Sequence, residues 1–82
     1  MYTITEKIHH GDYRQTRIMQ VTSICSRNVK ALLDSSPYAY TNASPETVER
    51  IGVELLEQLV TPAAKPKPVQ HGWSDFTVEK TA

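Results

Sequence analysis

The side chains of this 82-residue chain with the clearest capacity for recognition chemistry are Arg27, Asn28 and Lys30. At helical spacing Arg27 and Lys30 lie three residues apart on one face, with Asn28 beside them. A guanidinium suits two hydrogen bonds to guanine, a carboxamide suits adenine, and an ammonium typically meets phosphate. Ser26 opens the same segment, while Val29, Leu32 and Leu33 would face inward. Arg14 and Arg17, one turn apart on a helix, would reach flanking phosphates. A basic helix face that is merely solvated would present the same residues.

Other chemistries find less support. His9, His10, Asp12 and His71 include metal-ligand types, but adjacent histidines on a strand point to opposite faces and no two histidines stand four apart. Surface histidines without a metal are therefore expected. The single cysteine, Cys25, excludes an internal disulfide and a cysteine-based zinc site, and its apolar neighbours at helical spacing predict a small buried thiol. No serine or cysteine is specified beside a base and an orienting group, and there is no glycine-rich phosphate loop. The expectation is a protein that is not an enzyme and takes no cofactor. With no run of 18 apolar residues and no charged-then-apolar leader, no membrane association is expected. The expected setting is cytoplasmic, in a bacterial cell or a phage-infected host.

The elements that would carry Arg27 and its neighbours follow from periodicity. Tyr2, Ile4 and Ile8 alternate onto one face and predict a short strand or an extended arm. Gly11 permits a turn, and Asp12 can cap a following helix. Across residues 13–33 the apolar positions Ile18, Val21, Cys25, Val29 and Leu32 recur at intervals of 3, 4, 4 and 3, which fits one helix or two. Thr22, Ser23, Cys25, Ser26 and Asn28 are mediocre helix formers in a cluster, and this favours a break between two short helices. Such a pair is what a helix-turn-helix requires.

Pro37 ends that region, and Tyr38 and Tyr40 fall in a loop. Ser44-Pro45-Glu46 starts a further helix: Ser44 caps, Pro45 suits the first position, and Glu46 lies at the positive end of the dipole. This helix would bury Val48, Ile51, Leu55 and Leu59, with Leu56 on the same side and Gly52 marking contact with another helix. Thr61-Pro62 stops it, and residues 63–68 read as a polyproline-like spacer. The tail beyond holds Trp73 and Phe76, which either fold back or form a docking motif for a partner.

The expected fold is mainly α: a small bundle of three or more helices with a helix-turn-helix-like pair, a short extended N-terminal arm and a flexible C-terminal tail. Residues 1–60 would form the helical domain and residues 61–82 the spacer and tail. Net charge is zero, but residues 1–43 carry +2 and residues 44–60 carry −3, which allows one basic and one acidic face.

The stretch 17–59 resembles the headpiece of lactose-repressor-type transcription regulators. Val29-Lys30-Ala31-Leu32-Leu33-Asp34-Ser35-Ser36-Pro37 is similar to the end of that family's recognition helix and its loop. Ser44-Pro45-Glu46-Thr47-Val48-Glu49-Arg50-Ile51 is similar to the start of its third helix. The resemblance reaches the headpiece alone, with Ser23 where the family usually has glycine. It implies that Arg27, Asn28 and Lys30 read bases or phosphates.

Two functions are expected from different classes. The first is a small DNA-binding regulator that meets double-stranded DNA through Arg14, Arg17, Ser26, Arg27, Asn28 and Lys30, as a homodimer or with a partner because one module offers little surface. The alternative is a protein-binding adaptor or inhibitor without nucleic-acid binding, with Trp73 and Phe76 as docking residues. Whether residues 13–33 form one helix or two discriminates between them.

Overall fold

The computed structural model describes residues 1–37, 43–60 and 68–81. Two strands, β1 (Tyr2–His10) and β2 (Tyr13–Val21), are followed by helices α1 (Ser26–Asp34) and α2 (Pro45–Val60), then by β3 (Val69–His71) and β4 (Ser74–Lys80). The strands form one antiparallel sheet in the order β2-β1-β4-β3, so the first and last long strands lie side by side at its centre. Both hairpins turn on two residues that begin with glycine, and Gly11 and Gly72 take φ of 59° and 57°. Tight hairpins favour such a left-handed residue because its twist matches that of the flanking strands.

This architecture overturns the mainly helical bundle. Residues 13–21 are a strand, and all nine pair with β1, from His10↔Tyr13 to Tyr2↔Val21. The helix-turn-helix pair is therefore absent: only α1 remains of it, preceded by an extended chain. The physical reason is a competition of periods. Intervals of three and four through Ile18, Val21 and Cys25 suit a helix, yet Gln15, Arg17, Met19 and Val21 also alternate with Arg14, Thr16, Ile18 and Gln20. A two-residue turn at Gly11-Asp12 brings this segment onto a preformed partner strand, and β-branched residues then fit the pleated surface. The expected extended arm is β1, a central strand. The expected flexible tail is replaced by β3 and β4, with Phe76 fully buried. The loop tyrosines, the Thr61-Pro62 helix stop and residues 63–67 of the expected spacer lie outside the described residues.

Both helices lie on one face of the sheet. The core joins Ile4, Phe76, Val78 and Val69 of the sheet to Val29, Leu32 and Leu33 of α1 and Val48, Ile51 and Leu55 of α2. The helix-start reading of Ser44 holds, since the Thr47 backbone N–H donates to Ser44 Oγ at 3.2 Å. Gly52 also meets another helix: a Cβ there would sit 3.7 Å from Val29 Cγ2. α2 is tied to the sheet by a side chain that acts as a missing strand. β3 ends its pairing at Val69↔Phe76, and beyond it Gln58 takes over. Gln58 Nε2 donates to the Phe76 carbonyl at 3.0 Å, and the Val78 N–H donates to Gln58 Oε1 at 2.9 Å. Burying β4 without these bonds would leave backbone groups unpaired.

Candidate functional site

The two arginines expected to flank DNA do different work. Arg17 alternates inward on β2, where Nη1 donates to Glu6 Oε1 at 2.9 Å and Nη2 to Ser35 Oγ at 2.7 Å. Glu6 is fully buried, and its second oxygen accepts from Ser74 Oγ at 2.6 Å and Ser36 Oγ at 3.1 Å. The result is a sealed polar cluster between β1, β2, β4 and the end of α1. A buried carboxylate without these partners would be strongly destabilising. Arg17 is thus committed to the fold. Arg14 alternates outward beside the first hairpin, where Nη1 donates to the Gly11 carbonyl at 2.6 Å. It lies toward the end of β2 remote from α1.

Ser26, Arg27, Asn28 and Lys30 do share one place, the N-terminal end of α1. Asn28 is turned back into the preceding loop, donating from Nδ2 to the Ser23 carbonyl at 2.7 Å, so it positions the helix and does not reach outward. Cys25 is the N-cap, and it is exposed, not buried as its neighbours suggested. Its thiol is held below the ordinary value of 9.0, first by the Asn28 backbone N–H and then by the Ser23 hydroxyl. Thiol ionisation is easier at such a helix end because its N–H groups stabilise negative charge. Ser26, Arg27 and Lys30 remain at the surface.

Those three residues form one wall of a groove of about 270 Å³, and Ala43, Pro45 and Val48 form its apolar floor and far wall. The groove exists because α1 and α2 both begin on this side of the molecule. Lys30 reaches Asp34 at 3.3 Å in an exposed pair, an interaction worth at most about 0.5 kcal/mol and easily exchanged. Arg27 has no ion-pair partner among the described residues. The site therefore offers apolar surface with two available cations at its lip.

Beside the groove, α2 shows a second apolar feature that points outward. Val53, Leu56 and Val60 are 48%, 47% and 79% exposed. Their spacing of three and four places them on one helical face, and the exposed Glu49 and Glu57 border it. The reading of Leu56 as a buried neighbour of Leu55 and Leu59 is thereby corrected. The stripe was legible in the sequence, but it overlaps the core stripe in period, and only the position of the sheet decides which one is covered.

The tail residues separate. Phe76 is wholly in the core, so it cannot dock a partner. Trp73 sits in the second hairpin turn, 52% exposed, with its ring edge-on to His10 at 4.5 Å between centroids. His71, on the edge strand β3, is pushed below the ordinary 6.5 by partial burial and then by the charge of Arg50. Among the described residues no three His, Cys, Asp or Glu side chains gather as a metal-binding group. No helix among them is long and apolar enough to cross a membrane. Comparison of the chain with protein-family models, with curated proteins and with solved structures finds no match to any of them.

Proposed function

We propose that this chain is a small protein-binding module, an adaptor or inhibitor without catalysis, and that its helical layer is the working surface. One observation carries the reading: the apolar groove between the N-terminal ends of α1 and α2, with Arg27 and Lys30 at its lip. The occupant that fits is a helical segment with apolar residues spaced three and four apart and bordered by carboxylates. Apolar contact supplies the affinity, while the two cations set orientation and speed the encounter. A DNA reading draws less support, because Arg17 is consumed by Glu6, Asn28 by Ser23, and Arg14 stands apart from the groove. The cytoplasm, a reducing compartment, suits an exposed thiol at Cys25.

The test is an amide-shift titration of the labelled full chain with a synthetic acidic amphipathic helix carrying Leu and Val at this spacing. Saturable shifts centred on Arg27, Lys30, Ala43 and Val48 are expected, weakening as salt rises. Absence of saturation at millimolar peptide overturns the reading. So does a tighter, steeply salt-dependent interaction of the same residues with a mixed-sequence DNA duplex, which would give the surface to nucleic acid.

A further inference from the structure

The groove and the α2 stripe are complementary to one another. One is apolar with a basic lip, from Arg27 and Lys30; the other is apolar with acidic borders, from Glu49 and Glu57. Within one molecule they cannot meet, since both lie on the same exposed side of the helical layer. Resting on the protein-binding reading above, we infer that the occupant of the groove is helix α2 of a second copy of this chain, and that the protein assembles as a two-fold dimer.

The geometry of α2 makes the contact reciprocal. Its N-terminal turn supplies Pro45 and Val48 to the groove, and its C-terminal half supplies Leu56 and Val60 to the stripe. Two α2 helices packed antiparallel, with the axis at the level of Gly52 and Val53, bring Val60 of each copy to the level of Pro45 of the other and Glu57 to the level of Val48. From Val53 to Val60 the stripe runs about 10 Å at 1.5 Å per residue, within reach of the opposing first turns. A two-fold axis makes the same patch serve both copies, so the contact closes at two and forms no chain.

Charge favours this register. α2 carries Glu46, Glu49, Glu54 and Glu57 against Arg50 alone, so two bare α2 helices would repel. Arg50 is already engaged with Glu54 within its own helix. Arg27 and Lys30 of α1 flank the first turn of α2, where Glu57 of the second copy arrives, and they offset that repulsion. Glu57 has no ion-pair partner among the described residues, which leaves it available. The interface is small and partly charged, so dissociation in the micromolar range, weakening as salt rises, is expected.

The experiment is sedimentation equilibrium of the full chain from micromolar to millimolar concentration. It compares the parent with Arg27→Glu/Lys30→Glu, with Glu57→Lys, and with an equimolar mixture of these two variants. All substituted side chains are exposed, so the folded state should be retained, and circular dichroism verifies it. The parent should dimerise, and each variant alone should dissociate at least tenfold more readily. The mixture should recover the dimer, since an acidic groove then meets a basic stripe while the other half keeps the parental pairing.

A parent that stays monomeric at millimolar concentration overturns the inference. A dimer indifferent to both reversals does so too, because the copies would then meet elsewhere, as along the β2 edge. A monomeric chain whose groove still binds the acidic helical peptide leaves the protein-binding reading standing without the dimer. If neither copy nor peptide binds, both fall.

Discussion

Two parts of this molecule carry arginine, and they are built to opposite ends. Between the sheet and the end of α1, Arg17 is only 14% exposed in its side chain and every oxygen of Glu6 has a partner. On the helical layer, Arg27 has no ion-pair partner among the described residues, Lys30 holds a weak pair, and Val53, Leu56 and Val60 of α2 are exposed. The first arrangement is finished within the chain. The second leaves its charged side chains at the surface, in contact with solvent. Arginine content and position in the sequence do not tell these apart; the face of the element on which each residue lies does.

The sharpest way to break the comparison is to remove one half of the buried pair. Arg17→Ala strands Glu6 without its cation and should cost about 3–5 kcal/mol, a large share of the stability of a domain this small. Urea unfolding should show the midpoint falling by that equivalent. Replacing both partners with apolar residues, Glu6→Leu with Arg17→Met, should recover most of the loss, because no charge is then left buried. A single variant with parental stability would mean that water reaches Glu6.

The next largest effect lies where α2 joins the sheet. Gln58→Leu leaves the Phe76 carbonyl and the Val78 N–H without the partners that Gln58 supplies, at about 1–3 kcal/mol. Hydrogen exchange should rise first at Val78, ahead of the paired residues of β1. Uniform acceleration across the sheet would mean that the bond is not local in its action.

By contrast, Arg27→Ala with Lys30→Ala should change stability by no more than about 0.5 kcal/mol, as expected for exposed positions without buried partners. The same variant should lose binding of the acidic helical peptide. A large loss of stability would show that the groove is a structural feature of the fold and would dissolve the contrast drawn above.

His71 lies between the two regimes, partly covered on an edge strand and near Arg50. Its folded pKa is lowered, so between the ordinary 6.5 and the folded value the unfolded chain binds more protons. Its contribution to stability is therefore present above pH 6.5 and declines as pH falls through that window. His71→Gln should flatten this part of the stability profile. An unchanged slope would assign the dependence to other groups.

The residues most open to direct reading were those whose local chemistry is self-sufficient. Ser44 and Pro45 begin α2 because a hydroxyl cap and a fixed φ act within one turn. Val48, Ile51 and Leu55 were legible as a buried face for the same reason, since a helix aligns them whatever covers them. Glu6 was less visible, although it occupies the inward position between Ile4 and Ile8 in the alternation of β1. An isolated carboxylate on an apolar face signals a buried partner, and that signal was available. Its partners were not, because Arg17, Ser36 and Ser74 come from three separate elements.

The sequence by itself determined the start of α2, the turn at Gly11, the apolar residues that α1 and α2 bury, and the basic segment from Ser26 to Lys30. Each depends on contacts within a few residues, where backbone preference and spacing dominate. The tertiary structure decided that residues 13–21 are extended, that β4 lies at the centre of the sheet beside β1, and which arginine is buried. Those outcomes depend on pairing across the chain, such as Ile4↔Val78. A strand gains its hydrogen bonds only from a partner, so local pattern can favour a helix until that partner is in place.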